Sequence, residues 1–151
     1  VLHYEDGLKF VRRKENLYDL IIVDSTDPFG PGEVLFTREF YGSCFSALTE
    51  KGILINQHES PFYHADANEM QQAHRRIAQV FPIATVYQAH IPTYPSGHWL
   101  FGFASKGLHP VQDLQAERRN ALQLSTRYYN TDVHTGAFGL PNYVKELLTR
   151  G

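Results

Sequence analysis

The chain has a single cysteine, Cys44, among 151 residues. No disulfide can close within it and no multi-cysteine zinc site can form. That usage fits a reducing, cytoplasmic setting. Charge of one sign is also scarce. Lys and Arg number 14 against 16 Asp and Glu, a net charge of −2, so no broad basic field exists to hold nucleic acid. No apolar run approaches the roughly 20 residues that cross a bilayer. The chain opens at Val1 with no signal-peptide pattern. The G-x-S-x-G elbow of a hydrolase and the H-E-x-x-H helix of a zinc protease are both missing. The eight histidines are scattered, in the manner of surface or internally satisfied side chains, so no metal site is expected. There is no internal repeat, linker or low-complexity tract.

What is present is ordinary globular composition, 42% hydrophobic and 20% charged, enough for one domain, or part of one, with a real core. Residues 18–24 (YDLIIVD) form the clearest strand. Its apolar run is continuous rather than alternating, as in parallel strands covered on both faces. The eight residues after Asp24 contain two prolines and two glycines, so they read as a loop. A short helix can start near Leu8. A helix is expected over 38–49, ended by Lys51-Gly52, then a strand over 53–57 and a helix over 66–80 with Asp66 as N-cap. Residues 83–91 and 98–104 read as two strands joined by a short turn and hence antiparallel. Helices over 113–124 and 141–149 close the chain. The order is that of an α/β fold: a partial Rossmann-like sheet, mostly parallel, with an antiparallel C-terminal hairpin. Cys44 falls on the apolar stripe of its helix and reads as core.

In open α/β sheets, ligands sit beyond the carboxyl ends of the strands. Three clusters fall there. In DSTDPFGPG, Asp24 and Asp27 stand three positions apart. Two carboxylates so placed serve a cation or a proton transfer, or else cap turns; the loop alone leaves these open. It lacks the spaced glycines and lysine of a phosphate cradle. In NQHES, Gln57 and Glu59 are candidates to hold an amine, with strand-end solvation as the plainer reading. In IPTYPSGHW, Tyr94 and Trp99 either wall an apolar channel and stack on a cation or pack a hairpin tip.

Taken together, five motifs resemble one family. They are EDG at 5–7, YDLIIVDSTDPFGPGE at 18–33, NQHES at 56–60, QAHIPTYPSGHW at 88–99, and RYYN with HTGAFGLPNY between 127 and 143. In this order and spacing the chain is similar to the C-terminal half of the polyamine aminopropyltransferases, the spermidine synthases. The resemblance implies a class I methyltransferase-type sheet. It implies transfer of an aminopropyl group from decarboxylated S-adenosylmethionine, as co-substrate, to putrescine, giving spermidine and methylthioadenosine, with no prosthetic group. By the same resemblance Asp24 is the general base. Ser25, Thr26 and Asp27 belong to a loop that closes over the amine, and Asp27 binds it. Gln57 and Tyr94 touch the polyamine, Trp99 lines its channel in some members, and Glu59 is a further amine contact. Asp6 and Gly7 read the adenine of the donor, and Pro31 packs on its adenosyl part.

Gly32 stands where many members carry alanine. The family's N-terminal β domain and its glycine-rich donor-binding half are not found in residues 1–151, which are expected to be half of one catalytic domain and inactive alone. The resemblance further implies a cytoplasmic homodimer or homotetramer when full length, with no membrane or nucleic-acid partner. Rival readings are a putrescine N-methyltransferase on the same scaffold, aminopropyl transfer to agmatine or cadaverine, and a polyamine-binding module without catalysis.

Overall fold

A computed structural model describes residues 1–25 and 30–149. Four strands form one sheet in the order β1-β2-β4-β3, with β1 at Tyr18–Val23, β2 at Leu48–Gln57, β3 at Ile83–His90 and β4 at His98–Ser105. β1 and β2 run parallel, and β4 is antiparallel to both of its neighbours. The sheet is therefore mixed, with the parallel pair on one side and the hairpin on the other.

Two helices cover one face. They are α2 at Arg38–Ala47 and α3 at His64–Ala78. Their buried stripes, Phe40, Tyr41, Cys44 and Ala47 on α2 and Ile77 on α3, meet Leu54 and Ala104 of the sheet. Ile21 and Val23 of β1 pack against the same cluster. Full burial of side chains such as Leu54 and Ile77 contributes about 1.5–3 kcal/mol each. Cys44 is fully buried, and burial pushes its thiol up to about 12. It is core, as its helical stripe implies.

The short helix α1 (Gly7–Val11) is capped by Asp6, whose Oδ1 accepts from Lys9 N at 2.9 Å. Gly30–Phe36, which begins inside the expected loop, winds into a 3-10 helix. After β4 come α4 at Ala116–Ala121, α5 at Thr131–Ala137 and α6 at Asn142–Thr149. α5 was hidden by its polar composition; Asn130 caps it, accepting from Val133 N at 2.7 Å. α5 lies against β3, while Val144 of α6 joins Met70, Val86 and Leu100 on the helix-covered face. The C-terminal segment thus wraps the β3 edge.

Several boundaries differ from the sequence reading. The helix expected to end at Lys51-Gly52 ends at Ala47, because Leu48 is fully buried opposite Tyr18 and draws the chain into β2. The ladder then slips from Tyr18↔Leu48 to Leu20↔Ile53, so the intervening residues bulge out. Gly52 makes the bulge possible, since a Cβ there would lie 2.6 Å from Leu48 Cβ. α3 starts two residues before Asp66, which is in its first turn and not its cap; Tyr63 occupies that position without a side-chain bond. The helix expected over 113–124 shrinks to six residues. Among the described residues no helix is long and apolar enough to cross a membrane, and no cluster of metal-ligating side chains forms.

Candidate functional site

β1 and β2 both end at the same edge of the sheet, delivering Asp24 and Gln57 side by side. Val23 pairs with Asn56, so Asp24 follows on one strand where Gln57 follows on the other. Gln57 in turn pairs with Phe101, and Phe101 with Tyr87. Side chains alternate across a sheet, and these four share the face opposite α2 and α3. They form one transverse row over four strands. Ile22, Val23 and Ile55 also line a cavity of about 320 Å³ among the described residues. Tyr87 and Phe101 stack in it, with centroids 5.2 Å apart and planes 18° from parallel. Burial raises the Tyr87 hydroxyl above its usual range, so it is a neutral donor there.

Behind Gln57, on the helix-covered face, lies a buried polar pair. Asn56 and His58 are each 2% exposed. Asn56 Nδ2 donates to the Gln57 carbonyl at 3.3 Å and lies 3.0 Å from His58 Nδ1. Nδ1 then accepts, and the neutral ring carries its proton on Nε2, which has no partner among the described residues. Burial first, then the neighbouring His74, holds His58 down to about 3. The pair fixes the strand end that presents Gln57.

That burial makes stability depend on pH. The unfolded chain takes up a proton at His58 near pH 6.5, whereas the folded chain does not until about 3. Stability is therefore full above pH 6.5 and falls on acidification toward pH 3. The slope is about 1.4 kcal/mol per pH unit from this group. His74, also lowered by burial, adds in the same direction. The urea midpoint should drop steadily between pH 6.5 and 4.5, and less steeply in His58→Gln. An unchanged midpoint across that window would mean that His58 is protonated in the folded chain.

The three sequence clusters do converge on one sheet edge. Gln57 meets Asp24 in the cavity, and Ser60 Oγ bonds Ser96 Oγ at 2.9 Å, tying the segment after β2 to the hairpin turn. The turn itself is closed by Gly97 N donating to Tyr94 O at 3.0 Å. Tyr94 and Trp99 contact each other, centroids 4.5 Å apart, but neither lines the Asp24 cavity. Trp99 is 7% exposed with its Nε1 unpartnered among the described residues, while Tyr94 is 40% exposed. Glu59 borders a narrow crevice against Glu69 and Met70 of α3, together with Gln57. Ser25 follows Asp24 and is half-buried. Thr26 and Asp27 lie outside the described residues, and so does the side chain of Pro31.

Asp6 and Gly7 stand apart from the Asp24 cavity, at the start of α1. Gly7 packs on the 3-10 segment that contains Pro31: a Cβ on it would lie 3.2 Å from Leu35 Cδ2. It also lines a cavity of about 570 Å³ beside β1, with Phe10, Tyr18 and Leu20. The sequence reading missed Tyr87, Phe101, Ile22 and Ile55. One signal was available, since Phe101 lies two residues past Trp99 and so on its face. Tyr87 needs the β3–β4 register, which no local pattern states.

The profile described as "Spermine/spermidine synthase domain" matches residues 1–115. A polyamine aminopropyltransferase of Alkaliphilus oremlandii is 71% identical over 149 residues, which is 99% of this chain and 52% of that protein. One from Clostridium beijerinckii is 68% identical over 145 residues, 96% of this chain and 51% of its own length. A spermidine synthase solved in complex with the transition-state analogue AdoDATO superposes with a TM-score of 0.90. It is 45% identical and covers 95% of this chain and 49% of the other. The Thermotoga maritima spermidine synthase gives 0.85 at 44% identity, over 94% and 47%. The chain spans about half the length of the curated relatives it matches.

Proposed function

The chain belongs to the spermine/spermidine synthase domain family, and from that premise we propose that it is the C-terminal half of an aminopropyltransferase catalytic domain. In this reading the complete protein moves an aminopropyl group from decarboxylated S-adenosylmethionine to putrescine. The observation that carries the reading is the meeting of Asp24 and Gln57, distant in sequence, in one cavity at the carboxyl ends of parallel strands.

The chemistry asks for such a pair. The donor is a sulfonium, so its thioether leaves neutral and needs no acid. The acceptor is the obstacle: an alkyl ammonium resembles Lys, with a pKa of about 10.4, and is almost wholly protonated near neutrality. Asp24 takes that proton and holds the nitrogen in line with the carbon to be attacked. The nitrogen lone pair forms the new C–N bond as the C–S bond breaks, and its electrons stay on sulfur. Gln57 orients the amine through hydrogen bonds without competing for the proton. Ile22, Ile55 and Phe101 supply apolar walls for the carbon chain.

The remaining assignments keep their place in this reading. Asp27, Ser25 and Thr26 close over the amine, and Tyr94, Trp99 and Glu59 are further contacts of the polyamine. Asp6, Gly7 and Pro31 hold the adenosyl part of the donor. The complete protein works in the cytoplasm as a homodimer or homotetramer.

The test gives the complete protein both decarboxylated S-adenosylmethionine and S-adenosylmethionine, with putrescine, cadaverine and agmatine in competition, and identifies products by mass. Aminopropylated putrescine is expected. A methylated amine would replace the reading with N-methyl transfer, and amine binding without any product would replace it with a binding module. Residues 1–151 alone should give no turnover.

A further inference from the structure

Tyr87 and Ile55 line two cavities at once. One is the cavity that holds Asp24 and Gln57. The other, about 330 Å³, lies further down the same sheet face, walled by Leu20, Ile53, Phe103, Tyr129, Val133 and Phe138. Its lining is mainly apolar, with Gln88, Tyr128 and His134 as its polar members. The Tyr87 ring stands between the two. On one side it stacks on Phe101. On the other it meets Phe138, just past α5, with centroids 5.5 Å apart. Phe138 in turn packs edge-on against Phe103 at 6.1 Å. Contacts on both sides leave the Tyr87 ring little freedom to swing away.

We infer that Tyr87 is the specificity-determining stop that sets the length of the acceptor: its ring closes the Asp24–Gln57 cavity against the second, apolar cavity. The inference rests on the aminopropyl-transfer reading above and adds a residue and a function to it. Asp24 and Tyr87 stand at opposite ends of a row across four adjacent strands. Neighbouring strands lie about 4.8 Å apart, so the row spans roughly 14 Å. A four-carbon diamine, five bonds of about 1.5 Å in a zigzag, spans about 6 Å between its nitrogens. A hydrogen bond of about 3 Å to Asp24 and van der Waals contact of about 3.5–4 Å between the far amino group and the ring take up most of the remainder. A much longer diamine would have to displace the ring. Without the ring, its methylene groups would run on along the apolar walls of that cavity, and its far ammonium would keep its solvation beside the exposed Tyr128, which also lines it.

The experiment uses the complete enzyme with decarboxylated S-adenosylmethionine and equimolar 1,4-diaminobutane and 1,8-diaminooctane, reading the ratio of the two aminopropylated products. Tyr87→Ala should raise the eight-carbon to four-carbon ratio at least tenfold, whereas Tyr87→Phe, which keeps the ring, should hold the wild-type ratio. Tyr87→Leu, which retains apolar packing but is shorter, carries the test if the alanine variant fails to fold; a fivefold rise is expected there. A ratio that moves less than fivefold in a folded Ala or Leu variant overturns the inference. So does a Phe variant that shifts the ratio as much as they do. If the wild-type enzyme makes no aminopropylated product at all, it is the proposed function that fails. Wild-type product with an unmoved ratio in the variants rejects Tyr87 alone.

Discussion

On the proposed function, replacing Asp24 with Asn in the complete protein is expected to lower kcat by a factor of about 10²–10⁴, the range that a positioned proton acceptor contributes. Asn keeps the size of the side chain and can still hydrogen-bond an amine, but its amide cannot take a proton at neutral pH. The site stays intact around it, because Gln57 is set by β2 and its pairing with Phe101, not by Asp24. Amine affinity, measured by calorimetry, should therefore change far less than turnover. This divergence separates catalysis from mere polyamine binding. If kcat held within tenfold while affinity fell, Asp24 would be an amine anchor and the base would have to be sought elsewhere in the protein. If both fell together by orders of magnitude, the substitution would have disturbed the strand end, which the thermal melt of the variant would reveal.

The second large effect concerns folding. Gly102 of β4 lies opposite Asn56 of β2. A Cβ added at Gly102 would sit 2.2 Å from Asn56 Oδ1 and 2.9 Å from His58 Nε2. Both partners are buried and neither is a flexible chain end. Gly102→Ala must push them aside, an overpacking cost of about 1–3 kcal/mol. Displacing Asn56 also strands polar groups that it satisfies, at about 1–3 kcal/mol more. A loss of about 3 kcal/mol corresponds to a fall in Tm of roughly 6–12 °C for a domain of this size. Gly42 provides the contrast. It lies inside α2 with nothing within 4 Å of an added Cβ, so Gly42→Ala should leave Tm unchanged or raise it, as alanine in a helix is favoured by roughly 0.5–1 kcal/mol. Circular-dichroism melts of both variants decide the matter. Equal Tm values for the two would mean that Asn56 and His58 can move freely, and that they do not brace Gln57.

The contrast between these two sites shows how much the sequence disclosed. Asp24 was visible because it ends an uninterrupted apolar strand and opens a loop rich in proline and glycine, both local signals. Gln57 was visible for the same reason at the end of the next strand. Cys44 reads as core from its position on a helical stripe, and the structure buries it fully. Gly102, by contrast, looks like any strand glycine in the sequence. Its importance comes from two side chains more than forty residues earlier that share its space. The same holds for Leu48, whose burial against Tyr18 ends a helix that the local pattern extends by two residues. α5 escaped notice because it buries no residue of its own and takes shape at the Asn130 cap and against β3.

The aromatic residues of the site divide in the same way. Tyr94, within the β3–β4 turn, and Trp99, just after it, stand out in the sequence, and the structure pairs them with each other outside the Asp24 cavity. The pair inside it is Tyr87 and Phe101. The sequence by itself determined the alternation of strands and helices, the polar residues at the strand ends, and through its motifs the family. These depend on short-range periodicity and on residue types that carry their chemistry with them. Only the tertiary structure decided which aromatic rings face Asp24 and how the two cavities meet at Tyr87. That depends on the register of β4 against β2 and β3, where a slip of one residue would turn every side chain to the other face. The register is held by packing summed over the whole sheet, and no short stretch of sequence contains it.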